Sequence, residues 1–166
     1  MMTADGVLAV LALLRDTGGT DVWIEGGWGI DALLGEQTRP HRDLDLGHRQ
    51  EQEPRLLAAL TGAGFAETLD LRPVRFVMTR AATGEEIDLH PLVFAPDGSA
   101  LQASPDPGKP FRYPAECFTT GIVRGVRVPC LSAEQQVAFH QGYEPADRDL
   151  HDMARLREKF GIATHF

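Results

Sequence analysis

Asp43-Leu44-Asp45 places two carboxylates at i and i+2 between apolar neighbours, and that spacing constrains the fold more than any other stretch of the chain. Strand side chains alternate with period 2. On a strand both acids therefore share one face, while Leu44 and Leu46 anchor the other in a core. Two neighbouring like charges repel, so a fold that holds them side by side calls for a cation. Magnesium fits best, as a hard ion that commonly shares one or two carboxylates with substrate phosphates. Upstream, Gly26-Gly27 opens an apolar helical stretch, where bare backbone can approach phosphate oxygens closely.

A second alternating run, Glu85 to Phe94, puts Glu86, Asp88 and His90 on one face and Ile87 and Leu89 on the other. Neighbouring strands of one sheet would then present Asp43, Asp45 and Asp88 to a common point. Such a cluster suits two-metal phosphoryl chemistry, in which one cation orients a triphosphate and a second, about 3.5–4 Å away, activates the attacking oxygen. Taken singly, an exposed strand carboxylate or a Gly-Gly pair is bland. Their order and spacing together point to a metal–nucleotide site.

The run Trp23-Ile24-Glu25-Gly26-Gly27-Trp28-Gly29-Ile30-Asp31-Ala32-Leu33-Leu34-Gly35, followed by Thr38-Arg39-Pro40-His41-Arg42-Asp43-Leu44-Asp45, resembles the antibiotic nucleotidyltransferases that modify aminoglycosides and lincosamides. The resemblance continues through Glu86-Ile87-Asp88-Leu89-His90 and into Phe139 to Glu144, with Asp149 and Asp152-Met153 beyond. It implies the polymerase-beta-like nucleotidyltransferase fold, an α/β (α+β) arrangement with a mixed sheet flanked by helices. It also implies transfer of a nucleoside monophosphate, expected to be AMP, from a nucleoside triphosphate to a hydroxyl. Glu25 departs from the wider superfamily, which prefers a small or apolar residue there, and the gap from the glycines to Asp43 is longer than usual.

From these residues the roles follow. Asp43, Asp45 and Asp88 are the expected metal ligands, for two Mg²⁺ ions with Mn²⁺ as the other candidate. Asp88 resembles the family's general base, a role that rests on placement because a carboxylate beside a dication stays ionised. Gly26, Gly27, Arg39, His41 and Arg42 are the expected nucleotide-binding residues, the basic three standing where a leaving pyrophosphate needs neutralising. Glu86 and His90, beside Asp88, are candidates for the acceptor site, with His90 also suited to hydrogen-bonding a metal-bound carboxylate. Tyr143 and Glu144 join the acceptor site by resemblance alone. Trp28 is expected in the core rather than stacked on a base. His140, His151 and Asp152 hint at a histidine–aspartate phosphohydrolase, but only Glu158 follows as a further acidic ligand, and helical spacing explains His151.

A net charge of −8 argues against a polymerase or a tRNA-modifying enzyme, whose affinity comes largely from Lys and Arg on phosphates. It suits a small cationic acceptor through electrostatic steering. Two other readings keep the fold: a nucleotidyltransferase acting on a protein hydroxyl, as in toxin systems, and an inactive binding module. The three intact carboxylates favour an enzyme. With no apolar run near the ~20 residues of a membrane span and no signal-peptide pattern, a cytoplasmic protein is expected, a monomer or homodimer free of membrane and nucleic acid. Cys117 and Cys130 lack metal-ligand spacing and read as reduced thiols.

The chain's 166 residues suit a single compact unit. A catalytic core over 1–130 and a packed C-terminal helical segment over 131–166 are expected. Thr3 caps a first helix with the stripe Val7, Val10, Leu11 and Leu14, stopping at Gly18-Gly19. A short strand over Asp21–Ile24 leads into a helix ending at Gly35, and Pro54 starts another with Leu56, Leu57 and Leu60 inward. Val74–Thr79 and Ile87–Phe94 form a hairpin. Pro96–Pro114 has no period and reads as a long ordered loop or lid. Ile122–Val128 is a final strand, Ser132 to Gln135 a capping box, and Asp147 begins a helix burying Leu150, Met153 and Phe160.

Overall fold

The computed structural model describes residues 1–17 and 19–166 in full. The alternating runs become the centre of one nine-stranded mixed sheet. Helix α1 (Ala4–Leu13), capped by the Thr3 hydroxyl, precedes β1 (Val22–Ile24), α2 (Gly26–Leu34) and β2 (Leu44–Arg49). Next come α3 (Glu53–Gly62), β3 (Ala66–Leu71), β4 (Arg75–Arg80) and the long β5 (Glu85–Phe94). The remainder is β6 (Ala100–Gln102), β7 (Phe111–Tyr113), β8 (Phe118–Val123), β9 (Val126–Leu131), α4 (Ala133–Phe139) and α5 (Asp147–Phe160). The strand order is β3-β4-β5-β2-β1-β9-β8, with β6 joined to β5 and β7 to β6.

Pairing at the centre fixes the chemistry. β2 and β5 run parallel with Asp45 directly opposite Asp88 and Gly47 opposite His90. β1 lies antiparallel to β2, setting Ile24 against Leu46, so that Glu25 leaves the sheet beside Asp45. Leu44, Leu46, Ile87 and Leu89 are fully buried in the main core, against Val7, Val10 and Leu14 from the α1 region and Leu56 and Leu60 from α3. Helix α2 serves two cores: Trp28 and Ala32 face the sheet, while Ile30 and Leu34 meet Val137 of α4 and Met153 and Leu156 of α5. Tyr113, Leu92, Ala100, Cys117 and Leu131 form a third core, with Trp23, Phe94, Phe118 and Phe139 packed on it. Both cysteines are free and buried, and burial pushes each thiol up to about 12.

Four expectations are corrected. Pro96–Pro114 is not one loop, because β6 and β7 pair within it and Tyr113 is buried. Three-residue strands are too short to show a period among so many prolines. Ile122–Val128 is not one strand but the hairpin of β8 and β9, turning at Arg124-Gly125 with φ of 47° and 80°. Positive φ at both turn residues suits a type I′ turn, whose twist matches the flanking strands; Arg at the first place disguises it. Leu150 and Phe160 do not face inward, being 43% and 41% exposed, and Met153 and Leu156 carry that face of α5. At α4 the Ser132 hydroxyl does accept from the Gln135 N–H, but the Gln135 side chain donates to the Arg112 carbonyl instead of closing a capping box. Strand β3 went unread because every residue on it is exposed, leaving no apolar alternation to find.

Candidate active site

The parallel register of β2 and β5 brings Asp45, Asp88 and His90 together, with potential ligand atoms of all three within 4.8 Å of one another. Burial pushes the Asp45 carboxyl up to about 7, with His90 opposing and Asp43, Asp88 and Glu25 reinforcing the shift. Asp45 is thus a carboxylate whose charge the protein itself leaves poorly compensated. One Asp88 oxygen is bonded by Arg75 of β4, while Oδ1 is buried with no hydrogen-bond partner. A cation would supply what that oxygen and Asp45 lack, so the donor set fits a divalent metal.

Asp43 stands just before β2 and turns its carboxylate to Arg42, 2.8 Å away. It is two residues from Asp45, at the rim of the cluster. Arg42 is mostly exposed and also lies 3.5 Å from Glu86, so Glu86 is held at that rim too. The other two basic residues are bound inside the protein. Arg39 makes a two-pronged bond to Asp152 of α5 at 2.6 and 2.8 Å. His41, buried, contacts Asp31 of α2 at 2.5 Å and packs its ring against buried Trp28.

The glycines explain how these groups converge. Gly26 has φ of 56° and lies against the Asp45 carboxylate, where a β-carbon would collide with Oδ2. Gly27 lies against His41 and the Arg39 guanidinium with the same consequence for any side chain. The first N–H groups of α2 therefore stand between the acidic cluster and the basic loop, where a helix start favours an anion.

Glu25 and Tyr113 were not recognised as site residues from sequence. Glu25 is 4% exposed; its Oε2 accepts from His90 Nδ1 at 2.7 Å and from the Tyr113 hydroxyl at 3.3 Å, while Oε1 has no partner. Gly47 leaves the space this carboxylate occupies. Burial acts to lower the His90 pKa, but Glu25, Asp88 and Asp45 outweigh it and hold the imidazole well above its ordinary value. The one signal in the sequence was the departure itself, an acid just before the glycines. Tyr113 lay in a stretch read as loop.

Beside the cluster opens a cleft of ≈ 470 Å³, with Glu25, Asp45 and His90 on its floor, Phe111 and Tyr113 on one wall and Gln136, Phe139 and His140 on the other. Its size and mixed lining suit a small molecule. Tyr143 and Glu144 are exposed on the loop between α4 and α5, and neither lines the cleft; Tyr143 packs edge-on against Phe166. His140 bonds the Gln136 carbonyl, His151 bonds Thr38 and Asp152 bonds Arg39, which disperses the phosphohydrolase trio.

A mixed sheet that pairs two carboxylates on adjacent parallel strands beside a glycine-started helix defines a nucleotidyltransferase. A profile of the aminoglycoside-2''-adenylyltransferase family matches residues 6–156. The lincosamide resistance protein of Staphylococcus haemolyticus is 31% identical over 135 residues, covering 81% of this chain and 83% of that protein. A 2''-aminoglycoside nucleotidyltransferase of Klebsiella pneumoniae is 33% identical over 116 residues, 68% of this chain but 59% of that protein. The crystal structure of the lincosamide antibiotic adenylyltransferase LnuA, lincomycin-bound, matches with a TM-score of 0.84 at 28% identity, over 94% of this chain and 97% of that one. ANT(2'')-Ia in complex with adenylyl-2''-tobramycin shares the fold at a TM-score of 0.75 and 23% identity, over 95% of this chain and 89% of that one. This chain belongs to the aminoglycoside-2''-adenylyltransferase family of antibiotic nucleotidyltransferases and is an enzyme of that class. Among the described residues, no helix is long and apolar enough to cross a membrane.

Proposed function

We propose that this enzyme transfers AMP from ATP to a hydroxyl of a small cationic antibiotic, an aminoglycoside or a lincosamide, and so confers resistance in the cytoplasm. The observation that carries this reading is the Asp45–Asp88 pairing beside a cleft, lined by Asp45 itself, that is large enough for such an acceptor. The acceptor oxygen attacks the α-phosphorus, the bond to the bridging oxygen of pyrophosphate breaks, and the hydroxyl proton passes to the Asp88 carboxylate. Asp43, Asp45 and Asp88 would hold Mg²⁺ or Mn²⁺, which would supply charge neutralisation for the triphosphate. The N–H groups after Gly26 and Gly27 would donate to phosphate oxygens, and Arg42, exposed at the rim, would meet the leaving pyrophosphate. Arg39 and His41 shape that side of the site from within the protein.

Glu86 and His90 border the acceptor, while Tyr143 and Glu144 would meet only a part of it that reaches beyond the cleft. Residues 1–130 would carry the chemistry and 131–166 close the acceptor side through α4, in a monomer or homodimer. The test is incubation with ATP, GTP, CTP or UTP, magnesium and a panel of aminoglycosides and lincosamides, read by mass. One adenylyl group on at least one antibiotic, with pyrophosphate released, is expected. Nucleotide binding with no adduct on any member would overturn the acceptor class.

A further inference from the structure

His90 stands in the cluster as more than a neighbour of the carboxylates. Its Nδ1 is committed to Glu25 at 2.7 Å, which turns Nε2 toward Asp88, 3.5 Å from Oδ1. Glu25 is fixed in its own right by the Tyr113 hydroxyl and by its fit over Gly47. The imidazole thus has one nitrogen anchored in the protein and the other aimed at the point where Asp45 and Asp88 converge. Metal-binding histidines characteristically give their second ring nitrogen to a carboxylate, which sets the tautomer and the ring orientation.

We propose that His90 is itself a metal ligand, through Nε2, completing a carboxylate–carboxylate–imidazole set with Asp45 and Asp88, and that Glu25 is the positioning residue behind it. This rests on the metal-dependent reading above and deepens it. An imidazole donor shifts preference from magnesium, which favours oxygen, toward manganese and its neighbours. The acid at position 25, out of place among glycines and apolar residues, thereby acquires a reason.

The experiment uses the full chain with Mn²⁺ and inorganic triphosphate, a ligand that contains no nitrogen, and reads electron spin-echo modulation from ¹⁴N together with Mn²⁺ affinity. The wild type should show the modulation of a directly bound imidazole and bind Mn²⁺ more tightly than Mg²⁺. His90→Gln should lose the modulation while still binding Mn²⁺ through the carboxylates. Glu25→Gln should keep the nitrogen signal and lose about tenfold in Mn²⁺ affinity, the lower end of the usual effect of removing such a partner. Circular dichroism on both variants checks folding. Mn²⁺ bound without imidazole modulation in the wild type, or modulation that survives His90→Gln, overturns the ligand assignment and leaves the nucleotidyltransferase reading intact. No Mn²⁺ binding to the wild type overturns both.

Discussion

At one end of β2, Asp45 lies opposite Asp88 with its carboxyl pushed up to about 7. Three residues along the same strand, His48 is fully buried and meets Glu53 at 3.1 Å, and Glu53 also accepts from Arg72 at 2.8 Å. Arg72 in turn stacks over Phe76 and bonds Glu67 and Asp70. The Glu53 carboxyl, on α3 beside this second end, is held below its usual range. The two ends of one strand therefore adjoin acids shifted in opposite directions, Asp45 by burial and crowding and Glu53 of α3 by compensation. Crowded charge costs stability and persists where a ligand relieves it, whereas compensated charge serves the fold.

The comparison breaks most visibly if charge at the crowded end is removed without loss of rate. Asp88→Asn should lower kcat by about 10²-fold or more, the scale of general-base removal, with a melting temperature close to wild type. Asp45→Asn should likewise lose activity, and it should raise the melting temperature of the metal-free protein, since a buried carboxylate among Asp43, Asp88 and Glu25 is replaced by a neutral amide. Steady-state rates and thermal melts in chelator decide both. Near-wild-type turnover in Asp88→Asn would make that residue structural.

A smaller effect sharpens the contrast in the basic loop, which has features of both ends. Arg39→Ala strips Asp152, whose side chain is 2% exposed, of two charge-assisted bonds. An acceptor left unsatisfied in this way costs about 2 kcal/mol, readable by urea unfolding. Arg42→Ala, at a side chain 77% exposed, should cost under about 0.5 kcal/mol. It should act instead on KM for ATP. Equal stability losses would mean that the two arginines do not divide structure and nucleotide binding between them.

What the sequence revealed follows the same division. The faces of β2 and β5 were legible because a period of 2 decides burial on a strand, and Asp45, Asp88 and His90 lie where it places them. The partners of the basic residues were not. Arg39 and Asp152 are 113 positions apart, Glu25 and His90 65 apart, and no local pattern announces either pair. Arg39 and His41 resembled a phosphate clamp for the good reason that they precede the carboxylates, but each already has an acid inside the fold. Tyr113 and the cleft wall escaped notice because β6 and β7 hide in a Pro- and Gly-rich stretch. The β8–β9 turn hid behind an arginine in a left-handed conformation.

The smallest effect tests the compensated end through pH. The hydrogen bond from His48 is the main cause that holds Glu53 below its ordinary range; burial opposes it, and Arg72 adds to it. A carboxyl that binds its proton less readily folded than unfolded contributes stability above its unfolded-state pKa. That contribution is lost as pH falls through the depressed folded-state pKa. Glu53→Gln should therefore be less stable than wild type at neutral pH, by under about 1 kcal/mol for a partly exposed ion pair. The gap should hold down to about pH 5 and close on further acidification, as the wild-type carboxyl takes up its proton. Turnover at neutral pH should stay as in wild type, since Glu53 lies outside the cleft. Urea midpoints for both proteins across an acid series measure the gap. A gap that widened on acidification would mean that Glu53 is not the compensated acid beside His48, and the division between the two ends of β2 would fail.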